Sequence, residues 1–234
     1  MLEPRIYFPG SPWPQGHAIE AAFWAVRLLP AGRVAIDVHI ESADYSDAGS
    51  PSTPGDSHED FAWRNWQEPE SWRNYGSATI SSLEWGDALG LRVEGRCNDR
   101  LDLIGRLHSV ESPPDEEQLE LALQGYVLSH NVISFPRLLL TTSFDGAVDL
   151  TLTGRVDQDG IVPIEFPHDF VAVVPSISFR GCHVFDHDRA QSEAIAVEAF
   201  GPEVQIASES DGMGCRLISG PAVVERFGEA TVDV

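Results

Sequence analysis

The sequence predicts an all-β chain, a mainly antiparallel β-sandwich or barrel-like meander, with one or two short helices. Three observations carry this. From Val148 the residues alternate strictly: Val148, Leu150, Leu152 and Val156 share one face, and Asp149, Thr151, Thr153, Arg155 and Asp157 the other. That is the period of a strand buried on one side. Short loops ending in glycine recur between apolar runs, at Pro30-Ala31-Gly32, Phe144-Asp145-Gly146 and Gln158-Asp159-Gly160, the sequence form of a β-hairpin. Turn formers are abundant, with 20 Gly and 16 Pro among 234 residues, and a chain of this length buries a substantial core.

Taken in order, residues 1–17 read as an extended lead-in without a secretory signal. Trp13 stands between Pro12 and Pro14, a stiff arrangement that suits a plug over the edge of a core. Residues 18–42 form a hairpin. The Pro30-Ala31-Gly32 loop, with Pro setting the first turn position and Gly the left-handed one, pairs Leu28 with Val34, Val26 with Ile36 and Trp24 with Val38. Asp37 and His39 then fall on the polar face. Residues 46–60 lack an apolar anchor and read as a mobile loop.

Three of the six Trp, at 63, 66 and 72, follow that loop. They are either core or interface anchors, a role in which Trp, Tyr and Arg predominate. The poor spacing leaves at least one near the surface. Strands are predicted over 78–85, 91–97 and 101–109. Ser112-Pro113-Pro114 and the acidic run beyond it mark the one place, near 111–118, where a single β-rich domain spanning 1–234 would divide. A strand running to Leu128 follows.

In the meander from Val132 to Phe166 the loop length fixes the register. A two-residue Asp-Gly turn sets Leu150 opposite Thr141. A three-residue loop with Gly146 left-handed sets Leu150 opposite Leu140 and Leu152 opposite Leu138. A slip of one residue turns every side chain over, so the apolar pattern selects the longer loop. The same device at Gln158-Asp159-Gly160 sets Val162 opposite Val156 and Phe166 opposite Leu152. Residues 170–174 and 176–179 are strand-like. A helix is predicted over 189–200, with Asp188 as N-cap, Gln191 three residues on, and Gly201-Pro202 as the stop. Its apolar face is read as Ala190, Ala194, Ile195 and Val197. Residues 203–234 close the fold with one or two strands.

Charge bounds the function. The net charge is −22, from 37 acidic and 15 basic residues, and every basic residue is Arg. Without lysine there is no phosphate-loop, Schiff-base or kinase-type lysine chemistry. An acidic chain also lacks the positive footprint of nucleic-acid binding and attracts basic partners instead. No apolar run approaches a membrane span. Three widely spaced cysteines, Cys97, Cys182 and Cys215, fit a reducing cytoplasm better than a disulfide framework.

The densest polar run is Cys182-His183-Val184-Phe185-Asp186-His187-Asp188. Its mixed donors lack a zinc-site spacing and the glycine and closing glutamate of a calcium loop. Helix capping by Asp188 with solvated neighbours accounts for it. No metal or cofactor is expected.

No catalytic motif is present. The sequence therefore favours a non-catalytic acidic binding protein of the cytoplasm, such as a bacterial immunity or inhibitor protein that masks a basic protein. The alternative is a hydrolase on a β-sandwich, using carboxylates and histidine near Asp186–Asp188. The expected docking residues are Asp44, Trp63, Trp66, Trp72 and Tyr75.

Overall fold

The computed structural model describes residues 3–51, 66–85, 88–95, 97–111, 121–158, 168–185, 189–207 and 215–230. Its strands are β1 (Arg5–Tyr7), β2 (His17–Leu29), β3 (Arg33–Ser42), β4 (Thr79–Ser81), β5 (Leu91–Arg92), β6 (Leu107–Ser109) and β7 (Gln124–Tyr126). They continue as β8 (His130–Thr142), β9 (Val148–Gln158), β10 (His168–Val174), β11 (Ser178–Phe185), β12 (Gln205–Ile206) and β13 (Cys215–Ser219). The helices are α1 (Pro69–Arg73), α2 (Arg189–Phe200) and α3 (Pro221–Phe227).

Of the two predicted architectures, the chain adopts the barrel. Strands β2, β1, β10, β9, β8, β7, β4 and β3 follow one another around it, and the β2–β3 hairpin closes it. Every pairing in this ring is antiparallel. β6 and β7, on either side of the 111–118 segment, both pair with β8. The far half of β2 leaves the ring and pairs in parallel with β11, beyond which lie β13 and β12. This makes a three-stranded wing, and α2 and α3 pack against it.

Both predicted hairpin registers hold. Leu28 pairs with Val34, Val26 with Ile36 and Trp24 with Val38. Leu138 pairs with Leu152 and Leu140 with Leu150. Leu138, Leu140, Leu150, Leu152 and Val156 are fully buried together. Gly146 takes the left-handed φ of 87°, and its N–H donates to Ser143 O at 3.1 Å. In the other loop Ala31 joins Gly32 in the left-handed region, at φ 62°, and its N–H donates to Glu198 on α2.

The third strand of the meander needs correction. Val156 pairs with His168 and Leu152 with Ala172, the places expected for Val162 and Phe166. Residues 159–167 lie outside the described residues. Two prolines in that interval, Pro163 and Pro167, lack the N–H that a ladder needs. Phe170 pairs with Gly154, where a Cβ would sit 2.9 Å from the Phe170 ring. The glycine is what lets the ring lie flat on the strand.

Three further expectations are revised. Residues 101–106 form a short turn of 3-10 helix and bends, so only β6 of that predicted strand remains. α2 has the predicted limits, but Ser192 and Ala196 face inward while Ala190, Ala194 and Val197 are exposed. Small side chains one turn apart let the helix backbone approach β2 and β11 closely. Within 203–234 the expected closing strands, β12 and β13, are present, and the revision is α3, a helix that follows them. It begins with Pro221 at its first position and ends at Gly228, φ 86°, the proline-in, glycine-out signature of a helix.

One end of the barrel carries an aromatic cap. Phe8, Trp13, His17, Tyr45, Trp66 and Trp72 are all buried. Trp13 is the plug its prolines imply. The first part of the expected mobile loop is tied into this cap: Tyr45–Asp47 forms a 3-10 turn, and Trp13 Nε1 and Gln15 Nε2 donate to the carbonyls of Gly49 and Ala48. The rest of that loop, from residue 52, lies outside the described residues.

Candidate functional site

Alternation places Asp37 and His39 on the outer face of β3, where water would be expected. Both are buried there, Asp37 completely. The wing, with a strap of residues 82–85 and 88–90, covers this face. Phe23, Leu83 and Cys215 form a small second core on it, with Phe185 packed alongside.

Asp37 is the centre of the covered layer. Arg27, on the neighbouring strand, donates from Nε and Nη2 at 2.8 and 2.7 Å. Ser82 Oγ donates at 2.6 Å, and His183 Nε2 lies 2.7 Å away. Arg27 also donates to the carbonyls of Ala88 and Ser82, so strap and barrel share one cation. Gly90 presses on the carboxylate: a Cβ there would meet Asp37 Oδ1 at 2.7 Å, and its φ is 71°. Burial raises the pKa of Asp37, but the hydrogen bond from His183 and the charge of Arg27 outweigh it, so the carboxyl is held below its ordinary value.

A bulge aims His183. Phe179 pairs with Trp24 and Cys182 with Val26, so β11 carries one residue more than β2 over this interval. Gly181, at φ 93°, sits in the bulge. Without it Cys182 would face outward and His183 the barrel interior. The reading of 182–188 as a capped run with solvated neighbours is therefore corrected at its start: Cys182 is core, and His183 is a buried partner of Asp37. Residues 186–188, the site of the alternative hydrolase reading, lie outside the described residues.

Ser82, Asp37 and His183 are not wired as a nucleophilic triad. A triad needs the hydroxyl bonded to the imidazole and the imidazole to the carboxylate. Here both hydroxyl and imidazole bond to a central carboxylate. Asp37 and Ser82 are fully buried and His183 nearly so. This arrangement clamps the wing and the strap to the barrel.

The expected docking residues separate into two groups, with Trp63 outside the described residues. Trp66 and Trp72 are corrected: both are fully buried. Trp66 Nε1 donates to Pro9 O at 3.1 Å and Trp72 Nε1 to Trp66 O at 2.7 Å. With the polar edge of each ring satisfied inside, they are core of the cap. His17 stacks on Trp72 at 5.6 Å, and neither of its ring nitrogens has a hydrogen-bond partner. Burial, and then the charge of Arg5, lowers its pKa to about 4.

Asp44 and Tyr75 reach the surface. Asp44 accepts from Ser46 N at 2.7 Å, which lowers its pKa. Tyr75, 42% exposed, meets Tyr126 edge-on at 6.0 Å. The contact continues from Tyr126 to His130 at 5.1 Å and from His130 to Trp85 at 6.0 Å. These four rings form a strip over the outer side of β4, β7 and β8.

Carboxylates line its flank. Across the sheet Glu41 pairs with Thr79 and Thr79 with Tyr126. Thr79 is nearly buried between them, the floor of a shallow groove with one acidic and one aromatic wall. Glu84 lies 3.9 Å from His39 Nδ1, and burial together with the charge of Glu41 raises its pKa. His39 does not neutralise it: burial and the charge of Arg180 lower its pKa to about 4, so the ring is neutral at pH 7.

The strip joins residues far apart in sequence, and no local pattern announces it. Comparison with protein families, curated proteins and solved structures finds no match to this chain. Among the described residues no helix is long and apolar enough to cross a membrane.

Proposed function

We propose that this is a non-catalytic acidic binding protein that masks a basic protein, in the manner of a bacterial immunity or inhibitor protein, acting in the cytoplasm. The observation that carries the reading is where the charge lies. Among the described residues the one fully buried carboxylate, Asp37, is neutralised internally by Arg27, so it draws nothing from the acidic surplus of 22 charges. The other described carboxylates reach the surface, and part of that charge stands beside a strip of aromatic rings. Long-range attraction speeds encounter with a cationic surface, and exposed aromatic rings supply anchoring area at low entropy cost. The three cysteines are buried and not joined by disulfides, which suits a reducing compartment.

The test is isolation of the native complex. The protein is purified from its source cell at low ionic strength, and whatever elutes with it in fixed stoichiometry is identified. The expected companion has a high isoelectric point and is released as salt rises. A companion that is acidic, or that stays bound regardless of salt, overturns the reading.

A further inference from the structure

Resting on that reading, we propose that the Tyr75–Tyr126–His130–Trp85 strip, with the Glu41–Glu84 flank, is the docking surface for an arginine-bearing segment of the basic partner. A shallow groove runs between the strip and its flank. Its floor is Thr79, its acidic wall Glu41 and its aromatic wall Tyr126. Neighbouring strands in a sheet are about 5 Å apart, so the walls stand roughly 10 Å from each other. A flat cation fits that width, with one face on a phenol ring and its edge toward a carboxylate.

Guanidinium has this shape. It stacks on aromatic faces, pairs with carboxylates through two parallel N–H groups, and is weakly hydrated. An ammonium group offers a point charge and no plane. The rings are open enough for the contact: Tyr75 and His130 are exposed, and Tyr126 and Trp85 half-buried. Glu84 keeps 48% of its side chain in solvent. Glu41 acts on Glu84 as a like charge, and a cation bound between them relieves that repulsion. The protein already uses guanidinium in this way elsewhere: Arg27, paired to Asp37, lies 4.7 Å from the Phe185 ring, and Arg180 4.0 Å from the Phe23 ring.

The experiment titrates the intact protein by calorimetry at low salt with two synthetic hexapeptides, one of arginine and one of lysine. The arginine peptide is expected to bind at least about fivefold more tightly. Tyr75→Ala and Glu84→Gln should each weaken it by a similar factor, whereas Glu193→Gln, on α2 of the wing, should leave it unchanged. Both strip positions are exposed, so the variants should melt with the parent. Should Tyr75→Ala melt early, Tyr75→Leu and Glu41→Gln carry the same comparison.

Binding of the two peptides with equal affinity overturns the proposal while leaving the acidic-partner reading intact. So does a loss in Glu84→Gln no larger than in Glu193→Gln. If neither cationic peptide binds at low salt, both are overturned.

Discussion

Replacing Asp37 by Ala tests the account of the covered layer most severely. The carboxylate takes two hydrogen bonds from Arg27 and one from Ser82, and contacts His183 Nε2, all within 2.8 Å. Its removal strands the Arg27 guanidinium, which is 2% exposed and has only the carbonyls of Ala88 and Ser82 left as partners. An uncompensated buried charge costs about 3–5 kcal/mol. The orphaned Ser82 hydroxyl and His183 imidazole add roughly 1–3 kcal/mol each where water does not reach them. The expected loss is at least about 5 kcal/mol, a large share of the 5–15 kcal/mol by which domains are stable. In a chain of this size that lowers the melting temperature by roughly 10–20 °C. The assay is urea unfolding of parent, Asp37→Ala, Arg27→Met and the double variant. The double variant should recover much of the loss, because it leaves no buried charge. A loss below about 1 kcal/mol in Asp37→Ala, or losses that simply add in the double variant, would refute the reasoning.

Three further outcomes are expected. Gly181→Ala adds left-handed strain of about 1–3 kcal/mol and sets a Cβ 3.1 Å from that of Ala230, whereas deleting Gly181 leaves β11 and β2 with equal counts, so Cys182 and His183 keep their partners and faces; a Gly181→Ala variant without loss in urea unfolding contradicts the strained bulge. His17, His39 and His168 have pKa values lowered from 6.5 to about 4, each mainly by burial. The unfolded chain therefore binds more protons between those limits, so stability is full above about pH 6.5 and is lost as pH falls toward 4, by on the order of 1–3 kcal/mol per histidine. Equal urea midpoints at pH 7.5 and 4.5 would count against their neutral burial. Leu150→Ala should cost about 2–5 kcal/mol, because the side chain is fully buried opposite Leu140; a loss under about 0.5 kcal/mol means the register is wrong.

The two hairpins were legible because loop and strand pattern agree. Gly146 and Gly32 fix the turns, and only one register then places leucines and valines on a common face. Asp37 was misplaced because alternation says which face a residue takes, not whether that face is covered. A signal was nonetheless present. The same register pairs Ala25 with Asp37, Arg27 with Ala35 and Phe23 with His39, which sets Arg27 diagonal to Asp37 on a nominally wet face that also carries Phe23 and two alanines. Such apolar content implies a cover. The cover comes from β11, more than a hundred residues away, and its bulge has no local mark beyond a glycine. The third meander strand misled because Gln158-Asp159-Gly160 resembles the other loops, while Pro163 and Pro167 argue against strand immediately after it. The surface strip depends on β4, β7 and β8 lying side by side, which nothing short of the barrel's strand order supplies.

On the proposed function, the acidic surface meets a basic protein. The most direct test is the association rate, followed by stopped flow, between this protein and the basic companion purified with it, as ionic strength rises from about 20 to 200 mM, a range over which screening shortens from beyond 20 Å to under 10 Å. The rate should fall at least about tenfold across that range, the mark of electrostatic steering. A rate that stays level would contradict it.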